Sequence, residues 1–278
     1  MASGGGSINT NIPAIIALAS LQSTQQALQA TQKRITTGYN VADALDNGAI
    51  FGIAQTIRTN TAAETATNQE LGSIQGLVQV ANTAITNVSN NFTAIRAVLT
   101  SLSDTSLSSA TFNQFSQQYI NLLGEVSNFV NGANYNGFNI VNGSSTTVGV
   151  LRDINGNVLF LNTGNINSAI GILSTFGIQN GTQAASALST ANGTFGTAFG
   201  SIGNQLNLIG ATNLAINDQI SFNGAIQSSL TTGLGSLVDA DLQKESASLT
   251  ALQIKQQLGT QTLSIANQTP NVLLTLFR

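Results

Sequence analysis

Apolar residues recur at intervals of seven near both ends of this chain. Sevenfold recurrence is typical of the seam of a coiled coil or a helix bundle. Burying each large apolar side chain is worth roughly 1.5–3 kcal/mol, and a single helix in water has nowhere to bury them. Each terminal segment therefore needs a partner. The columns are Ala14, Leu21, Leu28 and Ile35 near the N-terminus, and Ala251, Leu258, Ile265 and Val272 beside Leu252, Gly259, Ala266 and Leu273 near the C-terminus.

The matching columns predict the fold class. We expect a mainly α protein, a long antiparallel helical bundle or coiled coil that pairs the N- and C-terminal segments, with a small β-hairpin insertion. Apolar residues at spacings of three and four predict helices over about 58–102 and on to about 132. The dipeptide Asn155-Gly156, between two apolar runs, predicts the hairpin turn. The Gly, Asn, Ser and Thr content of 162–200 predicts loops and at most short strands.

Glycine and proline predict where the last helices are interrupted. The penultimate helix is expected to resume near Ser186 and to break at Gly233-Leu234-Gly235. Pro270 lies inside the C-terminal stripe, where an interior proline costs roughly 3 kcal/mol. We therefore expect the last helix to kink or restart at Pro270.

Charge is scarce in this sequence. Only 7% of the 278 residues are charged, against about 25% in an ordinary soluble domain. Ser, Thr, Asn and Gln together supply 114 residues, so the polar surface consists of hydroxyls and amides. Because charge repulsion opposes close packing, this composition favours a protein that packs against further copies of itself. The net charge of −3 argues against nucleic acid, which requires several phosphate-facing cations.

Catalytic chemistry is not expected, because the chain contains neither cysteine nor histidine. No catalytic residue, metal or cofactor is predicted. The stretch 153–157 lacks the spacing of an EF-hand loop and is interpreted as a hairpin turn. The carboxylate pairs Asp43/Asp46 and Asp239/Asp241 are interpreted as helix caps or ion pairs between subunits. The pair Lys33-Arg34 fits equally a solvated helix end and a subunit contact.

The first residues indicate neither a secretory nor a membrane segment. Residues 1–7 lack the basic and apolar regions of a secretory signal peptide. The longest apolar run nearby, from Ile12 to Ala19, has eight residues, against the roughly 20 needed to span a bilayer. Membrane insertion is therefore not expected.

Short motifs at the two ends of the chain are more specific than composition. They are Ile8-Asn9-Thr10-Asn11, Lys33-Arg34-Ile35-Thr36-Thr37-Gly38, residues 43–49 and Asn134-Tyr135-Asn136-Gly137, followed by Asp239-Ala240-Asp241-Leu242, Lys244-Glu245-Ser246, Gln256-Gln257-Leu258-Gly259, Ala266-Asn267-Gln268 and Leu276-Phe277-Arg278. In order and spacing they closely resemble the signature of bacterial flagellins, most of all the short flagellins of alphaproteobacteria. The resemblance covers about 1–143 and 187–278, around a variable middle.

The resemblance implies six regions. They are an N-terminal inner-core helix (1–35), a spoke connector (36–57), outer-core helices (58–143), a reduced β and loop outer region (144–186), an outer-core return helix (187–237) and a C-terminal inner-core helix (238–278). The terminal helices would line the channel of a helical filament. In a free subunit they are expected to be disordered and to order only as neighbours bury their stripes.

The function implied by the resemblance is structural. The chain is expected to self-assemble into the bacterial flagellar filament, for motility, by helix–helix packing of both termini. The alternative is a flagellar hook–filament junction protein, which shares the terminal helices. Implied partners are other copies of the chain, other flagellins as a further option, flagellar junction and cap proteins, the export apparatus and an export chaperone. The resemblance also implies type III export, without a cleaved signal peptide, to an extracellular flagellum.

The candidate site residues form three sets. Subunit packing in the inner core is assigned to Ala14, Leu18, Leu21, Leu28, Ile35, Leu242, Leu249, Leu252, Ile254, Leu258, Ile265, Leu273, Leu276 and Phe277. The connector and its turns are assigned to Gly38, Asp43, Asp46, Asn47 and Gly48. Packing in the outer core is assigned to Leu77, Ile85, Phe92, Ile95, Leu99, Phe115, Leu122 and Phe129.

Overall fold

A computed structural model describes residues 10–144, 147–189 and 193–276, the last eight as backbone. Within these ranges the elements are α1 (Ile12–Thr37), α2 (Ala44–Leu102), α3 (Ser109–Gly132), β1 (Val148–Leu151), β2 (Val158–Leu161), α4 (Ile166–Thr175), α5 (Gly181–Leu188), α6 (Thr194–Val238) and α7 (Leu242–Leu276). The chain divides into two compact units. Unit 1 is the chain up to Thr59 together with the chain from Ser229, and unit 2 is Asn60–Ser228.

Helix α1 has a clear start and a clear stop. Asn11 caps its N-terminus, because the Asn11 Oδ1 accepts a hydrogen bond from the Ala14 N–H at 3.1 Å. Pro13 lies in the first turn, where its missing N–H costs nothing. At the other end Gly38 adopts the left-handed conformation, with φ of 74°, and its N–H donates to the Arg34 carbonyl at 2.8 Å.

In unit 1, α1 packs along α7 with the opposite chain direction. Near the start of α1, the Asn11 Nδ2 donates to the carbonyl of Ala266 at 2.7 Å. Near its end, the Arg34 guanidinium meets the Glu245 carboxylate at 3.3 Å. Residue numbers therefore rise along one helix as they fall along the other. The predicted fold class is confirmed: the terminal segments form an antiparallel helix pair, and the described residues include a small two-stranded hairpin.

Helix α2 begins earlier than the sequence suggested for the region 36–57. The irregular part is short, and helical structure starts at Ala44 and continues to Leu102, with one non-helical residue at Asn47 (φ −162°, ψ 102°). The Asn47 Oδ1 accepts hydrogen bonds from the N–H groups of Ala49 and Ile50, both at 3.1 Å. Asn47 therefore caps the segment that follows, and the connector is a kinked helix start rather than a loop.

The core of unit 2 follows the predicted helical spacing. Along α2 the buried positions recur every three or four residues, and they pack with α3, α6, the inner face of the hairpin and α4. At one level three aromatic rings lie together, since the Phe92 centroid is 5.6 Å from that of Phe195 and 6.2 Å from that of Phe199. The fully buried large side chains on α2 are Leu71, Leu77, Ile85, Phe92, Ile95, Leu99 and Leu102.

The hairpin forms where Asn155-Gly156 predicted it. Strands β1 and β2 pair antiparallel, with Val148 opposite Leu161 and Leu151 opposite Val158. Gly156 has φ of 83°, a conformation that glycine adopts without steric cost. One face of the hairpin lies against the core and the other is exposed.

The region after the hairpin is more helical than predicted. Residues 144–186 were expected to form a β and loop region, and 162–200 loops with short strands, but α4 and α5 occupy much of both stretches. In α4 the buried residues Ile166, Ala169, Ile170 and Leu173 have helical spacing, and Asn165 caps the helix. Burial of this stripe overrides the loop preference of the surrounding Gly, Asn, Ser and Thr.

Two predicted helix boundaries were wrong. Helix α6 begins at Thr194 rather than near Ser186, and it runs through Gly233-Leu234-Gly235 to Val238. The interruption lies instead at 239–241, where Asp241 caps α7 by accepting from the N–H groups of Gln243 and Lys244. At Pro270, where a kink or a restart was predicted, the helix does not restart, since the backbone of α7 is helical as far as Leu276; the kink stays a prediction. Helix α6 continues through Gly233 and Gly235 because a glycine costs only about 1 kcal/mol inside a helix. Packing of Leu234 and Val238 offsets this cost.

Candidate assembly surface

Helices α1 and α7 contact each other along a seam. Only one row of side chains from each helix lies in this seam, and a second row of apolar side chains lies outside it. On α1 the least exposed side chains are Ala17, Leu21 and Thr31, with Ala14, Thr24, Leu28 and Ile35 half-buried. These positions follow a spacing of three and four over three heptads. On α7 the matching row contains Glu245, Leu249, Leu252, Gln256, Gly259, Leu263 and Ala266. The column Ala14, Leu21, Leu28 and Ile35 therefore faces the helix partner within the same chain.

The second column on α7 does not face α1. Ile254, Leu258 and Ile265 are 53%, 56% and 63% exposed, and Ala251 is exposed as well. The start of α1, which lies beside Ala266 of α7, also has four exposed apolar side chains: Ile12, Ile15, Ile16 and Leu18. Exposed large apolar side chains in such numbers on one helix pair are typical of an interaction site in a soluble protein. We name the eight residues Ile12, Ile15, Ile16, Leu18, Ala251, Ile254, Leu258 and Ile265 the outer apolar row.

Small residues on the seam allow the helices to approach closely. A Cβ placed on Gly259 would lie 3.2 Å from the Leu21 Cδ1, a tighter contact than side chains normally make. The amide of Asn11 and the Arg34–Glu245 ion pair fix the register at the two ends of the pair. A search for apolar residues misses Thr31 and Gln256, although their spacing of three and four places them in the same rows as their apolar neighbours.

The predicted connector residues form a charge cluster at one end of unit 1. The Lys33 ammonium lies 2.8 Å from the Asp43 carboxylate and 2.7 Å from the Asp46 carboxylate. Its hydrogen bonds lower the pKa of both carboxyls, and those carboxylates raise the pKa of Lys33. The Asp46 Oδ2 also accepts from the N–H of Ala42 at 2.9 Å, so the cluster holds the chain reversal in place.

Backbone hydrogen bonds complete this chain reversal. Tyr39 and Asp239 form an isolated antiparallel bridge, and the Ala240 N–H donates to the Gly38 carbonyl at 2.9 Å. Val41, Ala54 and Val238 form a small buried cluster beneath it. Gly48 and Leu45 are exposed nearby, Leu45 at 96%. Gly38, Asp43, Asp46 and Asn47 thus act as turn and cap residues within the chain.

The outer-core candidates divide by burial. Leu77, Ile85, Phe92, Ile95 and Leu99 are at most 1% exposed, and Phe115 and Leu122 are half-buried against the same core. Phe129 is 39% exposed and lines a surface cleft of about 340 Å³ together with Val80 and Ala84. Leu242 in unit 1 is also 49% exposed. The side chains of Leu273 and Leu276 and the whole of Phe277 lie outside the described residues.

Among the residues that the structure describes, the two clefts along α3 bring no acid–base pair together. One of about 550 Å³ lies along α3 and is lined by apolar and hydroxyl side chains, among them Tyr119 and Ser116. Burial raises the pKa of Tyr119 to about 12, and its hydroxyl donates to the Leu173 carbonyl at 2.9 Å. Among the described residues no three Asp or Glu side chains converge as a metal site would require. No helix in those ranges is long and apolar enough to cross a membrane.

These features define a class of protein. A chain whose ends fold onto each other, whose helix pair keeps an apolar row exposed, and whose surface is hydroxyl and amide is a structural subunit of a helical assembly. Comparison with known proteins gives the same class. Residues 8–146 match the bacterial flagellin N-terminal helical region, and residues 178–277 match the bacterial flagellin C-terminal helical region.

Whole-length relatives agree with the two regional matches. The chain is 37% identical to flagellin FljK of Caulobacter vibrioides over 273 residues, which covers 98% of each chain. It is 33% identical to a flagellin of Brucella melitensis over 281 residues, covering 98% of this chain and 99% of that one. The chain belongs to the bacterial flagellin family. It is a structural subunit of the flagellar filament and not an enzyme, and these matches do not favour the hook–filament junction alternative.

Proposed function

We propose that the outer apolar row is the surface through which subunits pack in the filament core. The proposal rests on the observation that α7 has two rows of apolar side chains, of which only one contacts α1. One row, which includes Leu252 and Gly259, contacts α1 of the same chain, while Ile254 and Leu258 are more than half exposed. Exposing such a row has a free-energy cost that burial against a second subunit would remove.

The charge distribution supports the same surface. Residues 12–32 on α1 contain no charged side chain, and neither do residues 256–276 on α7. Because the helices are antiparallel, with Asn11 beside Ala266 and Leu21 beside Gly259, the first half of one stretch lies beside the first half of the other. Packing this surface against other subunits would therefore bring it close to one charged side chain, the exposed Lys255 between Ile254 and Leu258, and desolvating a charge costs several kcal/mol per ion.

The remaining assignments follow from family membership rather than from a contact in this chain. We infer that the six predicted regions keep the layout of a flagellin, with 1–35 and 238–278 innermost, 36–57 as the spoke, 58–143 and 187–237 as the outer core, and 144–186 outermost. Flagellar cap and junction proteins, the export apparatus and an export chaperone are the partners expected of such a subunit. Other flagellins are candidates for co-assembly. An extracellular filament reached by export without a cleaved signal peptide is the corresponding location.

The decisive experiment changes the outer row and leaves the seam intact. The double variant Ile254→Asn, Leu258→Asn removes two side chains that are about half exposed. If the exposed half of each is buried in the filament, roughly 1 kcal/mol is lost per side chain. A total of about 2 kcal/mol corresponds to a roughly 30-fold rise in the concentration needed for polymerisation. Sedimentation of polymer over a concentration series measures it.

The matched control is Gln257→Asn, an amide-for-amide change on the exposed surface of the same helix. It is expected to polymerise at the concentration of the unmodified chain. Polymerisation of the double variant at that same concentration would contradict the proposed surface. Circular dichroism of the unassembled variant must match the unmodified chain, which separates an assembly defect from a folding defect.

A further inference from the structure

Unit 2 contains a buried carboxyl group with no partner. Glu64, on α2, is 1% exposed, and its side chain forms no hydrogen bond or ion pair with another residue that the structure describes. Its Oε2 atom is buried without a donor, and so is the Oδ1 atom of Asn68, one helical turn further on. An ionised carboxylate in such a place is strongly disfavoured, because its charge is neither solvated nor compensated.

Two elements pack around this part of α2. Helix α6 runs antiparallel to it, since the Gln227 Nε2 donates to the Thr65 Oγ1 at 2.8 Å. Asn223 on α6 is fully buried, and its Nδ2 donates to the backbone carbonyl of Arg152 at 3.0 Å. The turn of the hairpin is thus fastened to α6, beside Glu64.

The charged groups on these elements give Glu64 no cation. The hairpin turn carries Arg152 and Asp153, whose charged atoms lie 3.8 Å from each other. The Asn157 Nδ2 donates to the Asp153 carboxylate at 2.7 Å and lowers the pKa of that group, so Asp153 remains ionised at neutral pH. Burial raises the pKa of Glu64, and the nearby Asp153 carboxylate raises it further.

The other charged residues on the same elements lie further along them. On α2 these are Arg58, whose guanidinium lies 5.8 Å from the Tyr39 ring centre, and the exposed Glu70. On α6 Asp218 adjoins Asn217, which accepts a hydrogen bond from Gln75 three turns beyond Glu64. Among the described residues, neither Arg58 nor Arg152 forms an ion pair with Glu64, and Arg152 is engaged by Asp153 instead.

We propose that Glu64 is held in unit 2 as the neutral carboxylic acid, donating its proton to the Asn68 Oδ1, and that its ionisation is a pH switch that loosens the hairpin turn from α2 and α6. One proton, held by the Glu64 Oε2 and donated to the Asn68 Oδ1, gives both of these buried atoms a hydrogen-bond partner. Loss of the proton leaves two buried acceptors unsatisfied and places a second carboxylate near Asp153. The proposal concerns unit 2 and is independent of how subunits assemble.

The direction of the pH effect follows from linkage. The carboxyl of Glu64 ionises near pH 4.3 in the unfolded chain and at a higher pH in the folded chain. Its contribution to stability is therefore fully present below the unfolded pKa and falls as the pH rises towards the folded pKa. The isosteric variant Glu64→Gln, whose amide donates to Asn68 without titrating, removes this loss.

Carbon-13 NMR of the full-length chain, labelled at the glutamate carboxyl, tests the protonation state directly. The chain has only four glutamates: Glu64, Glu70, Glu125 and Glu245. We expect one resonance to titrate at clearly higher pH than the other three. The variants Glu70→Gln, Glu125→Gln and Glu245→Gln each remove one of those three, so the assignment does not require a folded Glu64 variant. Four resonances that titrate together near the ordinary value would overturn the proposal.

Amide hydrogen exchange tests the switch. The Arg152 N–H donates to the Asn157 carbonyl at 2.7 Å and reports on the hairpin turn. After correction for base catalysis, its exchange rate should rise about tenfold per pH unit between the unfolded and folded pKa values if opening requires loss of one proton. Glu64→Gln should abolish this rise, and the exposed control Glu70→Gln should retain it. The proposal would be overturned if the exchange rate rose with pH in Glu64→Gln as it does in the original chain. It would also be overturned if added calcium stabilised the original chain, because Glu64 would then bind a cation instead of keeping its proton.

Discussion

The three-ring cluster of unit 2 allows a graded test of the core. Phe92 is fully buried, Phe195 is 7% exposed and Phe199 is 44% exposed, and the rings of Phe195 and Phe199 are 6.0 Å apart. Replacing a fully buried phenylalanine by alanine costs about 3–5 kcal/mol, because the lost transfer free energy adds to that of the cavity left behind. The Phe92→Ala variant should therefore lose about 4 kcal/mol. Phe195→Ala should lose about 3 kcal/mol and Phe199→Ala about 1.5 kcal/mol.

Urea unfolding followed by tyrosine fluorescence measures these losses. Two of the three tyrosines, Tyr119 and Tyr135, lie in unit 2. The matched control is Phe160→Ala, on the outer face of the hairpin, where the ring is 64% exposed and the expected loss is below about 1 kcal/mol. The reasoning would be refuted if Phe92→Ala and Phe160→Ala destabilised the chain equally, since burial could not then be the source of the stability.

Two further predictions concern a turn and the charge cluster. Gly143 has φ of 79°, and a Cβ placed on it would lie 2.5 Å from the side chain of Asn165, which caps α4. Gly143→Ala should therefore cost about 1 kcal/mol more stability than the control Gly156→Ala, where the backbone strain is the same but the space around the Cβ is open. Equal losses of stability in urea unfolding would contradict this prediction. Because the hydrogen bond from Lys33 lowers the pKa of Asp46, its stabilising effect is present above the unfolded pKa and lost as the pH falls through the folded pKa. Lys33→Gln should raise the pKa of Asp46 towards its ordinary value in a carboxyl NMR titration, and an unchanged value would rule out Lys33 as the cause.

Strong periodic signals in the sequence were sufficient for most of the fold. The helices over 58–102 and 109–132 carry apolar residues at helical spacing for many turns, and the buried side chains found along α2 are those the spacing indicates. The hairpin was predictable because Asn155-Gly156 supplies the turn geometry that connects two adjacent strands. In these places local preference and tertiary packing favour the same structure.

Short helices were missed because their signal is short. The stripe of α4 consists of four buried residues, and that of α5 of Gly181, Ala184 and Ala187. Two of those three side chains are single methyl groups and the third is a hydrogen, so they scarcely register as an apolar pattern. The asparagine caps at Asn165 and Asn180 were present in the sequence. In a chain with 114 Ser, Thr, Asn and Gln residues, however, such a cap is not distinguishable from its surroundings.

The sequence also identified two apolar columns on α7 without indicating which one faces α1. Hydrophobicity alone favours the column with Leu258 and Ile265, which has the larger side chains. The structure places the column with Leu252, Gly259 and Ala266 on the seam instead. Two helices of one chain can approach closely where the side chains are small, as at the contact between Gly259 and Leu21. The choice depends on the shape of the partner, which a single helix does not specify.

The charge distribution along the helix pair gives this choice a physical basis. Lys33, Arg34, Asp43, Asp46 and Glu245 lie at one end, where they fix the chain reversal and the register. The opposite end has no charged residue in 12–32 or 256–276. By pairing α1 with the row that contains Gly259 and Ala266, this chain leaves Ile254, Leu258 and Ile265 exposed, and we propose that these side chains are buried against another subunit.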